Sequence, residues 1–208
     1  MIIAVDGPSA AGKGTLARGI AEHYGFHFLD TGALYRMAGL MMLRTQTDFS
    51  DVARAAEFAR NLNVADFDDA ELRSEVVGSA ASKVAAIPEV RAALLKFQRD
   101  FAVRKPGAVL DGRDIGTVIC PDADVKFFIT ASVEARSLRR FKELQGLGLP
   151  ASLEAVTADI KARDARDSTR STAPTKAAAD AVVVDTSDMS VDEALKLVLT
   201  AIKLKTGL

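Results

Sequence analysis

The sequence predicts an α/β fold, with a parallel five-stranded sheet covered by helices on both faces. Segments of helical periodicity alternate with five short β-type runs: IIAVD, FHFLD, AVLD, VKFFIT and AVVVD. The runs are almost continuously apolar, as expected of strands that are buried on both faces of a sheet. The length of 208 residues suffices for one sheet and its core, so we expect a single domain over residues 1–208.

Composition narrows the possible partners. The 27 Lys and Arg residues balance 28 Asp and Glu residues, so no overall positive charge predicts binding to nucleic acid or anionic lipid. The apolar run at 34–43 is interrupted by Arg36 and Gly39 and is too short to span a membrane. Cys120 is the single cysteine, and no leader-like segment precedes the first run. We expect a cytoplasmic protein that does not bind membranes.

The segment between the first predicted strand and the first predicted helix has the pattern of a phosphate-binding loop (P-loop). Such a loop directs backbone N–H groups, a helix N-terminus and a lysine at one anion. Its residues here are Gly7, Pro8, Ser9, Ala10, Ala11, Gly12, Lys13, Gly14 and Thr15. The usual hydroxyl directly after the lysine is displaced by Gly14 to Thr15. The alternative, a turn that only joins strand to helix, does not explain the lysine and the hydroxyl.

Asp6, Asp30 and Asp111 each end one of the predicted strands. Ligands of parallel α/β sheets bind beyond the carboxyl ends of the strands. Asp111 could orient the water of a bound Mg²⁺ there, with Thr15 as the second metal-directed residue. The alternative for Asp111 is a turn carboxylate before Gly112.

Helix starts are predicted at Ser132 and at Ser190, where Glu193 three residues later completes a capping box. The segment 145–170 begins with QGLGLP and continues as a highly charged helix, so we expect a lid. On that helix Arg163, Arg166 and Arg170 fall at i, i+3 and i+7 and should share one face. The alternative is a solvated helix in which these arginines pair with two aspartates of the same helix, Asp164 and Asp167.

Five sequence blocks together resemble bacterial cytidylate (CMP) kinases, members of the nucleoside monophosphate kinase group of P-loop proteins. The blocks are GKGT at 12–15, LDTGALYR at 29–36, SKVAAIPEVR at 82–91, LDGRDIGTVICPDADVKFFITAS at 110–132 and RDARDSTR at 163–170. The resemblance implies a P-loop NTPase-like fold with a mobile CMP-binding region at 31–107 and a mobile lid at 145–170. It further implies a monomer that uses ATP with Mg²⁺ to phosphorylate CMP and dCMP in pyrimidine nucleotide metabolism. The alternative is a kinase for another nucleoside monophosphate, UMP or AMP.

The same resemblance implies roles for individual residues. ATP is held by Gly7–Thr15, Mg²⁺ by Thr15 and by Asp111 through water, and adenine near Arg139 and the segment 185–189. The implied catalytic residues are Lys13, Arg139, Arg166 and Arg170. The implied substrate-binding residues are Thr31, Tyr35, Arg36, Ser82, Arg91, Arg113, Asp114, Arg163, Asp167 and Arg170.

Within this set the resemblance assigns Arg113 to the acceptor phosphate and Asp114 to the cytosine amino edge. Three further positions have alternatives. Thr31 could simply cap the helix that follows it. Asp114 could pair with Arg113 or cap the Ile115–Gly116 turn, and Ser82 could be an ordinary helix serine. Where many bacterial relatives carry an extra small sheet, the segment 61–82 is short and mostly helical in pattern.

Overall fold

Five parallel strands form one sheet in the order β2-β3-β1-β4-β5, which confirms the predicted α/β fold. The computed structural model describes residues 1–63 and 66–207. The strands are β1 (Ile2–Asp6), β2 (His27–Asp30), β3 (Ala108–Gly112), β4 (Val125–Thr130) and β5 (Val182–Asp185). Each predicted β-type run therefore supplies one strand.

The described residues form helices between these strands and after the last one. They are α1 (Lys13–Tyr24), α2 (Thr31–Arg44), α3 (Val52–Arg60), α4 (Asp69–Leu72), α5 (Glu75–Val84), α6 (Pro88–Ala102), α7 (Val133–Gly146), α8 (Leu153–Thr169) and α9 (Val191–Thr206). A single π-helical turn lies at Ile115–Ile119. Ser132 caps α7, and Ser190 with Glu193 forms the predicted capping box of α9.

The three central strands are buried on both faces, but the two edge strands are not. Helices α1 and α9 cover one face, where Ile20 and Val198 join Phe127 in the core. Leu110 and Ile115 belong to the apolar cluster that also includes Phe101 of α6. Residues of β5 are exposed at its open edge, so the expectation of burial on both faces was wrong for β2 and β5. An edge strand has a neighbour on one side only, which leaves its residues partly uncovered.

Helices α2, α3, α5 and α6 form a second core beside the sheet. Leu34, Met42, Phe58 and Val84 are buried together there. The segment 61–82 contributes α4 and most of α5, as its helical pattern predicted, while residues 64–65 lie outside the described part. This group of helices forms one wall beyond the carboxyl ends of the strands.

The segment that we expected to form a lid contains a helix after its glycine- and proline-containing start. Residues 147–152 connect α7 to α8, and the two helices pack through Leu144, Val156 and Ile160. This antiparallel pair forms a second wall, facing the helices of the second core. The open space between the walls lies over the carboxyl edge of the sheet.

The loop after β1 passes so close to β4 that only glycine fits at its first position. Gly7 has a φ of +145°, and a Cβ atom built on it would lie 1.9 Å from the carbonyl oxygen of Ile129. Gly12, at the end of the loop, has a φ of +86° but no heavy atom within 4 Å of its Cβ position. The two glycines therefore differ in steric environment, although both have a positive φ.

We expect Gly7→Ala to lower the free energy of unfolding by about 2–4 kcal/mol, because it adds a clash with backbone to the strained φ. Gly12→Ala is the matched control, since it adds only the conformational cost, about 1 kcal/mol. Urea unfolding followed by circular dichroism measures both. Equal losses in the two variants would contradict the close approach of Gly7 to β4.

Candidate active site

A cavity of about 720 Å³ lies over the carboxyl ends of the strands, between the two helical walls. Its size is in the range of small-molecule sites in proteins. Most of the predicted site residues line it: Ser9, Ala10, Gly12, Lys13, Gly14, Thr15, Thr31, Tyr35, Arg36, Ser82, Arg91, Asp111, Arg113, Asp114, Arg163, Asp167 and Arg170. The predicted residues outside its lining are Gly7, Pro8, Ala11, Arg139 and Arg166.

The floor of the cavity contains the N-terminus of α1. Gly12 precedes the helix in a left-handed conformation, and no side chain in the described part of the protein caps the first turn. The first backbone N–H groups of a helix lack partners within the helix and carry partial positive charge. This arrangement suits the binding of an anion.

Lys13 is buried at the start of α1 and curls back over the loop. Its Nζ donates to the carbonyl oxygen of Pro8 at 2.9 Å and lies 3.9 Å from Oδ1 of Asp111. Burial, followed by the charge of Arg113, lowers the pKa of Lys13 to about 8. The lysine is therefore mostly protonated at neutral pH, and a nearby anion would stabilise its charged form.

Asp111 is the second-to-last residue of β3 and lies opposite Lys13. Its Oδ1 atom is buried and has no hydrogen-bond partner within residues 1–63 and 66–207, and burial raises the pKa of the carboxyl group. A Cβ atom on Gly14 would lie 3.2 Å from Oδ2 of Asp111. The missing side chain of Gly14 therefore leaves space next to this carboxylate oxygen. An unsatisfied carboxylate oxygen in a cavity that the exposed Thr15 also lines suits an oxygen-liganded cation such as Mg²⁺.

Thr31 is buried at the start of α2, where its hydroxyl donates to the backbone oxygen of Asp111 at 2.7 Å. The alternative role of Thr31 as the helix cap is wrong, because the carboxylate of Asp30 accepts from the N–H of Ala33 instead. The other oxygen of Asp30 accepts from Nη2 of Arg36 at 2.6 Å. Burial alone would raise the pKa of Asp30, but the charge and hydrogen bond of Arg36 lower it overall.

Asp114 is buried between two arginines from opposite walls. Its Oδ2 accepts from Nη2 of Arg91, and its Oδ1 lies 3.8 Å from Nη2 of Arg170. Burial raises the pKa of Asp114, although the charges of both arginines oppose that shift. The guanidinium of Arg91 also lies over the ring of Tyr35, 5.6 Å from its centroid.

Neither of the local alternatives for Asp114 describes its contacts. Arg113 pairs with Asp167 instead, with 3.3 Å between Nε and Oδ2. The N–H groups of the Ile115–Gly116 turn donate to the carboxylate of Asp6, each at 2.7 Å. The sequence marked Asp6 as a strand end, but nothing in its neighbourhood indicated this partner across the sheet.

Ser82, Asp167 and Arg166 form a hydrogen-bonded chain between α5 and α8. The Ser82 hydroxyl donates to Asp167 at 2.9 Å, and Nε of Arg166 donates to Ser82 at 3.2 Å. The hydroxyl is therefore not that of an ordinary solvated helix serine. Arg166 is turned toward Ser82 rather than into the cavity.

The expectation that three arginines share one face of a helix was wrong in part. Arg163 projects from α8 into the cavity, but Arg170 follows the last turn, where a ψ of 140° takes the chain out of the helix. The alternative, intrahelical pairing with the two aspartates, was also wrong. Asp164 pairs with Arg136 of α7 at 2.7 Å, and Asp167 pairs off the helix as well.

Arg139 is linked to the loop 7–15 through Thr186. Its guanidinium donates to the hydroxyl of Thr186 at 3.0 Å and to the backbone oxygen of the same residue. The Thr186 hydroxyl in turn lies 3.2 Å from the carbonyl oxygen of Ala11. Arg139 is therefore next to the segment after β5, where the adenine contacts were expected.

Sequence reasoning missed two arginines of the lining, Arg18 and Arg73. Arg18 lies one turn beyond Thr15 on α1 and stacks over Phe28, at 4.5 Å from the ring centroid. Its i+3 spacing from Thr15 could have indicated it. Arg73 follows α4 and carries no motif.

Arg140 joins the two walls. Its guanidinium lies 2.5 Å from Glu75 of α5 and 2.9 Å from Glu143 of its own helix. Glu75 was missed by sequence reasoning, because the pairing joins distant segments of the chain.

None of the helices within the described ranges combines the length and the hydropathy that a membrane-spanning segment requires.

Comparison with known proteins agrees with this geometry. The profile of the family described as cytidylate kinase matches residues 3–204. The chain is 54% identical to the cytidylate kinase of Rhodopseudomonas palustris (strain ATCC BAA-98 / CGA009) over 203 residues, which cover 98% of this chain and 96% of the relative. It is 56% identical to the cytidylate kinase of Methylocella silvestris, with 98% and 94% coverage.

A solved structure shares the fold at much lower identity. It is an uncharacterized protein from Eubacterium ventriosum, with a TM-score of 0.57, 16% identity and 98% coverage of both chains. At that identity the similarity shows the fold alone. The family profile and the relatives above half identity, each over nearly the whole length, are decisive. The chain belongs to the cytidylate kinase family.

Proposed function

We propose that the protein transfers the γ-phosphoryl group of ATP to CMP and dCMP, forming CDP and dCDP in pyrimidine nucleotide metabolism. The observation that carries this proposal is one cavity with two different anion-binding ends. The N-terminus of α1 with Lys13 forms one end. Arginines around the buried Asp114 form the other. A transfer between two nucleotides requires two phosphates to face each other in this way.

The donor binds at the first end. The N–H groups of the loop 7–15 and the ammonium of Lys13 hold the ATP phosphates. Thr15 and, through water, Asp111 would hold Mg²⁺, which would supply charge neutralisation for the transferring group. The unsatisfied Oδ1 of Asp111 supports this assignment. Arg139, beside Thr186, contributes near the adenine.

The acceptor binds at the second end. Arg36 and Arg113 bind its phosphate, since a guanidinium matches phosphate oxygens through two parallel hydrogen bonds. Asp114 accepts from the cytosine amino group, with Arg91 and Ser82 beside it. Thr31 and Tyr35 complete the lining, and Arg163 with Asp167 reaches the ribose.

The chemistry needs no strong general base, because the acceptor oxygen is already part of an anionic phosphate. That oxygen attacks the γ-phosphorus, and the bond between the γ-phosphorus and the ADP oxygen breaks. The protein contributes position and positive charge, which stabilise the charge spread over the transferring oxygens. Lys13, Arg166 and Arg170 supply this charge, the two arginines when the walls close over both substrates.

The segments 31–107 and 145–170 carry separate small cores and meet through the hydrogen bonds of Ser82 with Asp167 and Arg166, which supports their movement as the CMP-binding region and the lid. We further propose that the enzyme works as a monomer in the cytoplasm. Mass measured by light scattering, with and without both nucleotides, would test the monomer. A dimer that persists at micromolar concentration would contradict it.

The direct test of the proposed function is an ADP-release assay with ATP and each of CMP, dCMP, UMP and AMP. CMP and dCMP should each yield one ADP per acceptor consumed, while ATP alone yields almost none. The relatives bear the name cytidylate kinase, which favours CMP over the UMP and AMP alternatives. Faster turnover with UMP or AMP, or equal ATP hydrolysis without acceptor, would refute the proposal.

The lowered pKa of Lys13 predicts a pH limit on ATP capture. Above pH about 8 the free enzyme loses the ammonium charge, so kcat/KM for ATP should fall up to tenfold per pH unit. At saturating ATP the bound phosphates favour the ammonium, so kcat should hold to higher pH. Steady-state kinetics from pH 6 to 10 measures both.

Lys13→Arg is the control for this profile, because a guanidinium stays protonated over the whole range. The variant should be slower but should lack the alkaline fall in kcat/KM. The same fall in both proteins would show that Lys13 does not cause it.

The buried carboxylate of Asp114 leads us to expect a preference for cytosine over uracil. Cytosine offers an amino donor where uracil offers a carbonyl oxygen, so a buried carboxylate should favour CMP by roughly 10- to 200-fold. We expect Asp114→Asn to bring the CMP:UMP ratio of kcat/KM toward one, mainly by loss of activity with CMP. Asp30→Asn is the matched control: it disturbs Arg36 on the phosphate side and should slow both acceptors equally. An unchanged ratio in Asp114→Asn would mean that other residues read the base.

A further inference from the structure

We propose that Asp6 is a positioning residue that holds the base-reading Asp114 in register with the phosphate-binding loop, an inference that rests on the proposed function. Asp6 ends the central strand β1 and is 4% exposed. It lines no part of the cavity among the described residues. Its action on substrates must therefore pass through other groups.

The carboxylate of Asp6 bridges two consecutive backbone N–H groups. Oδ1 accepts from Ile115 and Oδ2 from Gly116, both at 2.7 Å. These are the first two residues of the π-helical turn Ile115–Ile119. The first N–H groups of any helical turn lack an acceptor within it, so here a side chain from another strand supplies both.

This turn fixes Asp114 directly. The backbone oxygen of Asp114 accepts from Val118 at 2.9 Å and from Ile119 at 3.1 Å, so the residue is part of the same hydrogen-bonded unit. The Asp114 side chain has no hydrogen bond to its own turn among those formed by the described residues. If Asp6 releases the turn, the base-reading carboxylate is free to shift.

Asp6 also directly precedes Gly7, the glycine that approaches Ile129 of β4. The donor loop therefore leaves β1 one residue after the side chain that fixes the acceptor loop. Lys126 of β4 packs against the same turn. A Cβ on Gly116 would lie 3.1 Å from Cδ of Lys126 and 3.4 Å from Oδ2 of Asp6, so there is little space for a side chain at this position. One buried carboxylate thus sets the distance and orientation between the two loops.

Asp6→Asn tests this role with little change in volume. The amide can accept from one N–H group but directs its own NH₂ at the other, so the turn loses at least one bond. We expect kcat/KM for CMP to fall about 10- to 100-fold, as misplacement by an ångström does in other enzymes. The CMP:UMP ratio should fall too, while the ATP dissociation constant measured by calorimetry stays within about threefold.

Asp124→Asn is the matched control. Asp124 also accepts a backbone N–H at 2.7 Å, from Ile2 at the opposite end of β1. Its removal should leave the CMP:UMP ratio and the CMP affinity unchanged. A loss of stability alone would affect both variants without altering base preference.

A double-mutant cycle with Asp114→Asn completes the test. If Asp6 acts through Asp114, adding Asp6→Asn to Asp114→Asn should not lower the CMP:UMP ratio further. The proposal would be overturned if the double variant lowered the CMP:UMP ratio by the product of the two single effects. It would also be overturned if Asp6→Asn alone kept the wild-type ratio. If Asp6→Asn does not fold, Asp6→Ser, which keeps one acceptor, is measured in the same way.

Calorimetry of CMP and UMP binding separates this proposal from the proposed function. If the wild-type protein binds CMP but does not phosphorylate it, the proposed function fails, and a weaker CMP preference in Asp6→Asn would still support the positioning role. If the wild-type protein phosphorylates CMP and Asp6→Asn binds CMP and UMP as the wild type does, only the positioning role fails.

Discussion

The meeting of carboxylates at one edge of the sheet is the constraint on which the rest of the site depends. Parallel pairing brings Asp6 and Asp30 beside the end of β3, where Asp111 stands. Acids brought this close together are costly unless cations or N–H groups compensate them. Each one has a different compensation: the π-helical turn for Asp6, the start of α2 with Arg36 for Asp30, and Lys13 for Asp111. The carboxylates therefore organise both the loops and the cations around them.

Carboxylates hold several of the cations of the cavity in place. Arg91 and Arg170 both form ion pairs with Asp114, and Arg113 forms one with Asp167. A guanidinium has five N–H donors, so an ion pair with one carboxylate leaves others for a phosphate. This arrangement reduces the reorganisation needed when charge develops during transfer. Of the residues that the structure describes, nine Lys and Arg line the cavity with six Asp and Glu, so a chain of formal net charge −1 still has an excess of basic groups there.

Local patterns predicted what depends on local sequence. The five strands, the helix starts at Ser132 and Ser190 and the loop before Lys13 follow from apolar runs and from capping and glycine patterns, and the structure confirms them. Contacts between distant segments were not predictable in this way. Asp6 with the turn after β3, and Arg140 with Glu75, join residues that are 109 and 65 positions apart. The spacing of residues along the chain does not indicate such pairs, so they are identified only from the three-dimensional structure.

We propose that the donor and acceptor phosphates meet within a single cavity. A bisubstrate analogue, with cytidine and adenosine joined by five phosphates, tests this by isothermal titration calorimetry. We expect one analogue to bind per chain, roughly 100-fold or more tightly than ATP or CMP alone, because linking the two ends makes the second contact intramolecular. Lys13→Ala and Asp114→Ala should each weaken that binding. An affinity no higher than that of ATP, or insensitivity to Asp114→Ala, would show that the two phosphates do not share the cavity.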